Sequence, residues 1–252
     1  MTRVIINGAG GRMGRMLAQA ALEMDALTVV AGVDLIIPKD ITAYPIYENL
    51  SDVKEAANVI IDFTLPKALD GISEYCVSKN CGCVLATTAY SAEDEAKVKL
   101  LSEKVPVFRS ANMSVGINLL IDLVKKAAAS LEGFDIEIIE KHHKQKIDSP
   151  SGTALMLANA ANEVYEGALE YQNGRHTKTE KRKPAELGIH AVRGGTITGD
   201  HSVLFIGSDE VIELSHSAQS RLVFAQGALR AAEFISGMAP GLYNMGDLIA
   251  AK

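Results

Sequence analysis

Five short apolar runs, separated by helical stretches, organise the first half of the chain. RVIIN (3–7), LTVVAGVD (27–34), VIIDFT (59–64), CVLATTA (83–89) and VPVFRSA (105–111) are nearly unbroken runs of apolar and β-branched residues rather than alternating ones. Strands of that kind are buried on both faces, as in a parallel sheet covered by helices. The segments between them, RMLAQAALEM (15–24), Lys67 to Lys79 and SAEDEAKVKLLSEK (91–104), have helical composition. The last opens on Ser91 with Asp94 three residues on, an N-cap followed by an acidic first turn.

The pattern changes after residue 113. VGINLLIDLVKKAAASL (115–131) predicts a long helix, and FDIEIIEKHH (134–143) alternates, with Ile136 and Ile138 on one face. Gly-punctuated strands and tight turns over 187–218 predict antiparallel pairing with one wet face. Residues 221–237 are helical again, and the polar segment 165–186 reads as a mobile loop. The expected fold is α/β: a Rossmann-like dinucleotide-binding domain (1–113 and 221–252) plus an α+β domain (114–220) with a mixed, largely antiparallel sheet. Hinges are expected near Met113-Ser114 and Ser220-Arg221, with closure on a ligand.

Composition narrows the classes. No run of about 18 apolar residues predicts a membrane span, and MTRVIINGAGG lacks the sections of a signal peptide, so the cytoplasm is expected. Formal net charge is −6 over 252 residues, which argues against a nucleic-acid partner. Cys76, Cys81 and Cys83 read as reduced structural thiols. No metal is expected, because a matching ligand set is missing from the sequence around them.

Between the first strand and first helix lies GAGGRMG, residues Gly8, Ala9, Gly10, Gly11, Arg12, Met13 and Gly14. Gly8, Gly11 and Gly14 form GxxGxxG. Such glycines allow a tight turn, close approach of a pyrophosphate and close helix–sheet packing, and amides at the helix start bind phosphate. The motif alone is weak, but the strand–helix–strand context strengthens it. Asp34, twenty residues after Gly14, can bind both hydroxyls of an adenosine ribose. Asp34 favours NAD. Leu35 occupies the place where an Arg would suit NADP, and Arg12 and Lys39 remain as cations for a 2′-phosphate. The reading leans to NADH with NADPH tolerated. Later strand ends should line the same crevice. Ala86, Thr87 and Thr88, with Ser110, Ala111, Asn112 and Met113, suit a nicotinamide ribose and carboxamide, although each taken singly could be an ordinary strand-end turn.

The second concentration of chemistry is EKHHKQKIDSPSGTA (140–154). The chain is expected to leave its strand near Lys141, placing His142 and His143 in a loop; were they still in the strand, they would face opposite ways. Ser151 or a neighbour becomes the N-cap of the next helix, and the amides of Gly152 and Thr153 make an anion pocket. His142, His143 and Lys146 face it. Lys141 and Lys144 read as solvated. Asp148 either orients Lys146 or caps the turn.

With these motifs the chain resembles the 4-hydroxy-tetrahydrodipicolinate reductase (dihydrodipicolinate reductase) family of lysine and diaminopimelate biosynthesis. The likeness runs along GAGGRMG (8–14), IDFT (61–64), ATTAYS (86–91), SANMSVGIN (110–118), IEIIEKHHKQKIDSPSGTA (136–154) and GDHSVLF (199–205). It implies reduction of a small cyclic dicarboxylate by hydride from NADH or NADPH at ring C4, with a proton at C3, in a homotetramer built through the second domain's sheet. It also implies His142 as proton donor/acceptor, Lys146 as second acid, and His143, Gly152 and Thr153 as carboxylate ligands. Arg221 matches a basic position near the domain junction. Asp34-Leu35 departs from the family's acid–Arg pair, which weighs against strong NADPH use. An aspartate or homoserine dehydrogenase of the same architecture leaves HHKQK before SPSGT unexplained. A dinucleotide-sensing regulator needs no proton donor there.

Overall fold

The computed structural model describes residues 1–38 and 40–251. Lys39, one of the two cations offered for a 2′-phosphate, lies outside the described residues. The elements are, in order, β1 (Thr2–Asn7), α1 (Arg12–Ala21), β2 (Leu27–Val33), β3 (Ile46–Tyr47), β4 (Val59–Asp62), α2 (Leu69–Lys79), β5 (Gly82–Leu85), α3 (Ala92–Ser102) and β6 (Pro106–Arg109). Then come α4 (Val115–Ser130), β7 (Asp135–His142), α5 (Gly152–Val164), β8 (Glu170–Asn173), β9 (Glu186–Arg193), β10 (Gly199–Ile206) and β11 (Val211–Ala218). The chain ends with α6 (Leu222–Ile235), β12 (Gly241–Tyr243) and α7 (Met245–Ala250). It divides into two compact units, Met1–Val115 with Arg221–Lys252, and Gly116–Ser220.

In the first unit the described strands form a seven-stranded sheet in the order β12-β6-β5-β4-β1-β2-β3, parallel at every pairing. One face packs under α1 and α6 through Ile6, Leu17, Ile61, Phe108 and Leu229. The other packs under α2 and α3 through Ile5, Ile60, Ile72, Leu85 and Val98. Apolar residues on both faces of each strand are what the unbroken runs require. Ser91 and Asp94 form a full capping box on α3, worth about 1 kcal/mol. The strand order reverses between β1 and β4, which leaves a crevice beyond their carboxyl ends.

The second unit is a five-stranded mixed sheet, β11-β10-β7-β9-β8, with α4 and α5 packed on Ile136, Ile138, Leu187, Val203 and Phe205. Three local expectations change. β9, within the stretch read as antiparallel, pairs parallel to β7. A crossover containing α5 separates the two strands, and such a connection brings the chain back in the same direction. β8 lies inside the segment read as a mobile loop and pairs with β9. All four of its residues are exposed, so its side chains carry no burial pattern to betray a strand. Finally, β7 runs through His142, so His142 does not begin a loop. It ends a strand on the buried face, and His143 is the first residue beyond it.

Candidate active site

In the first unit, Gly8 turns the chain out of β1 with φ of +85°, a left-handed conformation that glycine takes without strain. A Cβ on Gly14 would lie 2.2 Å from the carbonyl oxygen of Gly8, so α1 starts against the turn as only glycine permits. The amide of Gly10 donates to Asp34 Oδ2 at 2.8 Å, and Ile36 donates to Oδ1 at 3.2 Å. The acid at the end of β2 is thereby fixed beside the glycine turn. The first-turn amides of α1, at Arg12 and Met13, have no helical acceptor because of where they stand. A cavity of about 880 Å³ is lined by Gly8, Asp34, Leu35, Thr64, Leu65 and Lys67. A second, of about 430 Å³, is lined by Gly10, Gly11, Arg15, Asp34 and Asp40. Turn, acid and space fit a dinucleotide. Arg12 is exposed. Arg15 is held by an ion pair to Asp40 and by a bond to the Gly10 carbonyl at 3.1 Å.

At the switch point a fully buried Asp62 gathers the ends of β1, β4 and β5. It accepts from Asn7 Nδ2 at 2.8 Å, Thr64 Oγ1 at 2.6 Å and Thr87 Oγ1 at 2.7 Å. Thr87 is therefore buried and committed, whereas Thr88 and Ala111 are exposed. Ala9, Ala86 and Met113 are buried in the core, and the half-buried Met13 packs against it. Ser110 Oγ donates to the Asn112 carbonyl at 2.7 Å, and Asn112 Oδ1 accepts from Ser114 N at 2.9 Å. These two side chains shape the strand-end turn.

In the second unit the alternation that buries Ile136 and Ile138 also buries Glu140 and His142. Nδ1 of His142 lies 2.6 Å from Glu140 Oε2. Arg193, paired opposite His142 on β9, closes on the same carboxylate with two nitrogens, each at 2.7 Å. Burial pushes the Glu140 carboxyl up, but Arg193, His142 and the Ser151 amide outweigh it and hold it below the usual carboxylate range. Burial lowers the His142 pKa; Glu140 opposes this, and Lys146 and Arg193 add to it, so the net shift is downward. His201 on β10 packs edge-on to His142 with ring centres 5.2 Å apart, and burial takes its pKa down to about 4. It bonds Ser151 Oγ at 3.1 Å.

Ser151 is the N-cap of α5, its hydroxyl accepting from Ala154 N at 3.1 Å, as expected. The loop after His142 is tied to the β9–β10 turn through His143 N to Ile197 O at 2.8 Å and Lys144 N to Gly195 O at 3.3 Å. Lys146 Nζ pairs with Asp148 Oδ2 at 2.8 Å. Lys141 and Lys144 are exposed, Gly152 is exposed at the start of α5, and Thr153 is half-buried. The ring Nδ1 of His143 is buried without a protein partner. Arg221 stands at the N-cap of α6 in the first unit.

Sequence reasoning passed over Glu140, Arg193, His201, Asp62 and Arg15. A signal existed for Glu140, since continuing the Ile136, Ile138 alternation by two residues buries it. Arg193 gave no local sign, and His201 entered only as part of the GDHSVLF stretch of the resemblance. Among the described residues no group of three or more His, Cys, Asp or Glu could hold a metal ion, and no helix is long and apolar enough to cross a membrane.

Comparison with known proteins agrees with both halves. The family described as dihydrodipicolinate reductase, N-terminus, matches residues 2–113, and dihydrodipicolinate reductase, C-terminus, matches residues 116–249. A 4-hydroxy-tetrahydrodipicolinate reductase of Caldanaerobacter subterraneus subsp. tengcongensis is 54% identical over 99% of this chain and 98% of its own length. One of Clostridium novyi is 47% identical over 100% of each. Among solved structures, a dipicolinate-bound dihydrodipicolinate reductase from Paenisporosarcina sp. TG-14 superposes with a TM-score of 0.82 at 26% identity, covering 97% of both chains. An aspartate dehydrogenase from Thermotoga maritima, at 14% identity and a TM-score of 0.52, shares the fold alone. With family models matching both halves and full-length relatives near half identity, the chain belongs to the dihydrodipicolinate reductase family.

Proposed function

We propose that the protein reduces 4-hydroxy-tetrahydrodipicolinate to tetrahydrodipicolinate with NAD(P)H, a step of lysine and diaminopimelate biosynthesis. The observation that carries the reading is the juxtaposition in the second unit: a buried His142 held by Glu140, and Lys146 tied to the same cluster through Asp148 and Arg193. Glu140 also accepts from the amide of Ser151, the N-cap of a 13-residue helix. A bound reduced nicotinamide supplies hydride to the conjugated imine left after water loss. The protein's task is to stabilise the negative charge that then spreads over the ring nitrogen and neighbouring carbon, and to deliver a proton to it.

Lys146 and His142 are the proton-handling groups. In the free protein His142 is held neutral near pH 7 by its lowered pKa, so its unbonded nitrogen is an acceptor. A bound dianion reverses that balance, because nearby negative charge favours the imidazolium, and His142 then becomes a donor. His143 and the amides of Gly152 and Thr153 are the carboxylate seat, with the α5 dipole adding to it.

Gly8 through Met13 and Asp34 bind the dinucleotide, with Thr88 and Ala111 toward the nicotinamide side. NADH is the preferred form: Asp34 is an acceptor-only group, Leu35 is exposed beside it, and Arg15 is engaged with Asp40. The protein acts in the cytoplasm, in keeping with three buried free thiols. It assembles as a homotetramer through the second unit's sheet, whose face away from α4 and α5 carries Ile139, Val192 and Leu204, all partly or fully exposed.

The test is oxidation of NADH and NADPH in parallel, with the unstable substrate generated in situ by a synthase from pyruvate and aspartate semialdehyde. Oxidation that depends on the synthase is expected, faster with NADH. Tight nucleotide binding with no oxidation would reject the reading. Sedimentation velocity tests the tetramer.

A further inference from the structure

Neither Glu140 nor Arg193 is needed as an acid in this reaction, yet together they form the most heavily bonded polar cluster beside His142. The Glu140 side chain is fully buried. Four donors converge on it: His142 Nδ1 at 2.6 Å, Ser151 N at 2.9 Å, and Arg193 NH1 and NH2 at 2.7 Å each. A buried carboxylate is tolerated only when paired and hydrogen-bonded, and a bidentate guanidinium is the strongest such partner.

The bonding has a chemical consequence. An ionised carboxylate has no proton to give, so the contact to His142 fixes the ring hydrogen on Nδ1 and leaves Nε2 as the exchangeable nitrogen. The backbone opposite is cut away for it: a Cβ on Gly199 would lie 2.9 Å from Nε2. The same guanidinium reaches the second acid. Arg193 NH2 also donates to the carbonyl oxygen of Asp148 at 2.7 Å, and the carboxylate of Asp148 holds Lys146 Nζ at 2.8 Å.

We infer that Glu140 and Arg193 act as one positioning strut for both proton-handling residues. Glu140 holds His142 in the Nδ1–H tautomer. Arg193 keeps Glu140 ionised and pins the loop that carries Lys146. The inference rests on the roles assigned above to His142 and Lys146. The charged and titratable groups that surround His142 are Glu140 on its own strand, Arg193 on β9, His201 on β10 with His216 behind it on β11, and Lys146 and Asp148 in the following loop. Glu140, Asp148 and Asp200, beside His201 on β10, carry negative charge; Asp148 is engaged by Lys146, and Asp200 acts on His201 and His216. Glu140 is therefore the group that supports protonation of His142.

The experiment uses 15N-histidine-labelled protein with NADH bound, together with Glu140→Gln and Arg193→Lys. In the unsubstituted protein the His142 nitrogen shifts should report the Nδ1–H tautomer; an Nε2–H tautomer there overturns the inference without recourse to any variant. Glu140→Gln should lower kcat by about 100-fold, within the range of general acid–base effects, with the dissociation constant for NADH unchanged. The alkaline limb of its kcat–pH profile should move to lower pH, because the charge that supports the imidazolium donor is gone. Arg193→Lys should lower kcat about 10-fold, since an ammonium cannot span Glu140 and the Asp148 carbonyl at once. Should Glu140→Gln fail to fold, the tautomer and Arg193→Lys still decide. If both variants keep kcat within threefold while His142→Ala and Lys146→Ala are inactive, the strut is wrong and the function stands. If His142→Ala and Lys146→Ala are themselves active, the role assignments have failed instead.

Discussion

The two regions that carry the chemistry are built in opposite ways. The glycine-rich turn of the first unit is defined by backbone and by missing side chains: a positive φ at Gly8, and no room for a Cβ on Gly14. The His142 region of the second unit is defined by side-chain hydrogen bonds between distant positions. Glu140 bonds Ser151 eleven residues away and Arg193 fifty-three away, and Ser151 bonds His201 fifty away. A backbone cradle is a local property and recognises what phosphates share. A side-chain network is non-local and sets protonation. The first should fail by losing ligand or fold, and the second by losing rate.

The largest effect expected on that contrast is in the second unit. Lys146→Ala should lower kcat on the order of 10³-fold, His142→Ala by a similar or smaller factor, each leaving NADH affinity within about threefold. Steady-state kinetics with fluorescence titration of NADH measures both. A loss of NADH affinity equal to the loss of rate would show that the two regions are not separable in this way.

Next comes the counterpart in the first unit. Gly14→Ala places a Cβ 2.2 Å from Gly8 O and 2.7 Å from Ala9 Cα. Both neighbours are backbone and cannot swing aside. Destabilisation on the order of 3 kcal/mol is expected, with NADH binding lost before the second unit is affected. Denaturant unfolding with and without NADH reads it; unchanged stability and affinity would mean that the helix start has slack.

The same contrast explains what was legible in the sequence. The parallel sheet could be read because burial on both faces leaves unbroken apolar runs. Asp34 could be read because its spacing from the glycines is local. β3 and β12, of two and three residues, are too short to leave a period, and β8 has no buried side chain. In the second region the His, Lys and Ser were found as types in a cluster. Their partners Arg193 and His201 could not be, since nothing near either residue records a bond made across the sheet. The loop expected at His142 is a strand end instead, because two polar residues in succession hide the continuing alternation. The register that buries Glu140 carries one residue pair further.

A third expectation concerns pH. His201 is buried with a pKa of about 4 against an ordinary 6.5. For a histidine depressed on folding, the unfolded chain takes the proton first. Its contribution is therefore complete above about pH 6.5 and is lost as pH falls toward 4, no more than about 3 kcal/mol in all. His142 and His216, also lowered by burial, act in the same direction. Urea midpoints at pH 7.5 and 4.5 should differ less in His201→Gln than in the unsubstituted protein. An equal slope in both would remove His201 as a source of the acid sensitivity.

The smallest expected effect sharpens the comparison from inside the first unit, where one side-chain pair does intervene. Arg15 lies beside Asp34 in the 430 Å³ cavity and is bound by Asp40. That contact lowers the Asp40 pKa and raises that of Arg15. A 2′-phosphate at this place would need the guanidinium that Asp40 holds, and would also meet the charge of Asp34. Asp40→Asn frees Arg15 and leaves Asp34 in place, so only part of the discrimination is removed. Both groups are exposed, and exposed ion pairs are weak. The NADPH/NADH ratio of kcat/KM should therefore rise only about fivefold, chiefly through KM for NADPH, and more at low salt than at high salt. A ratio that does not move would assign the cofactor preference to Asp34 alone. Selection on the adenosine side would then rest wholly on one acid anchored to the Gly10 amide, a single carboxylate held by the backbone cradle.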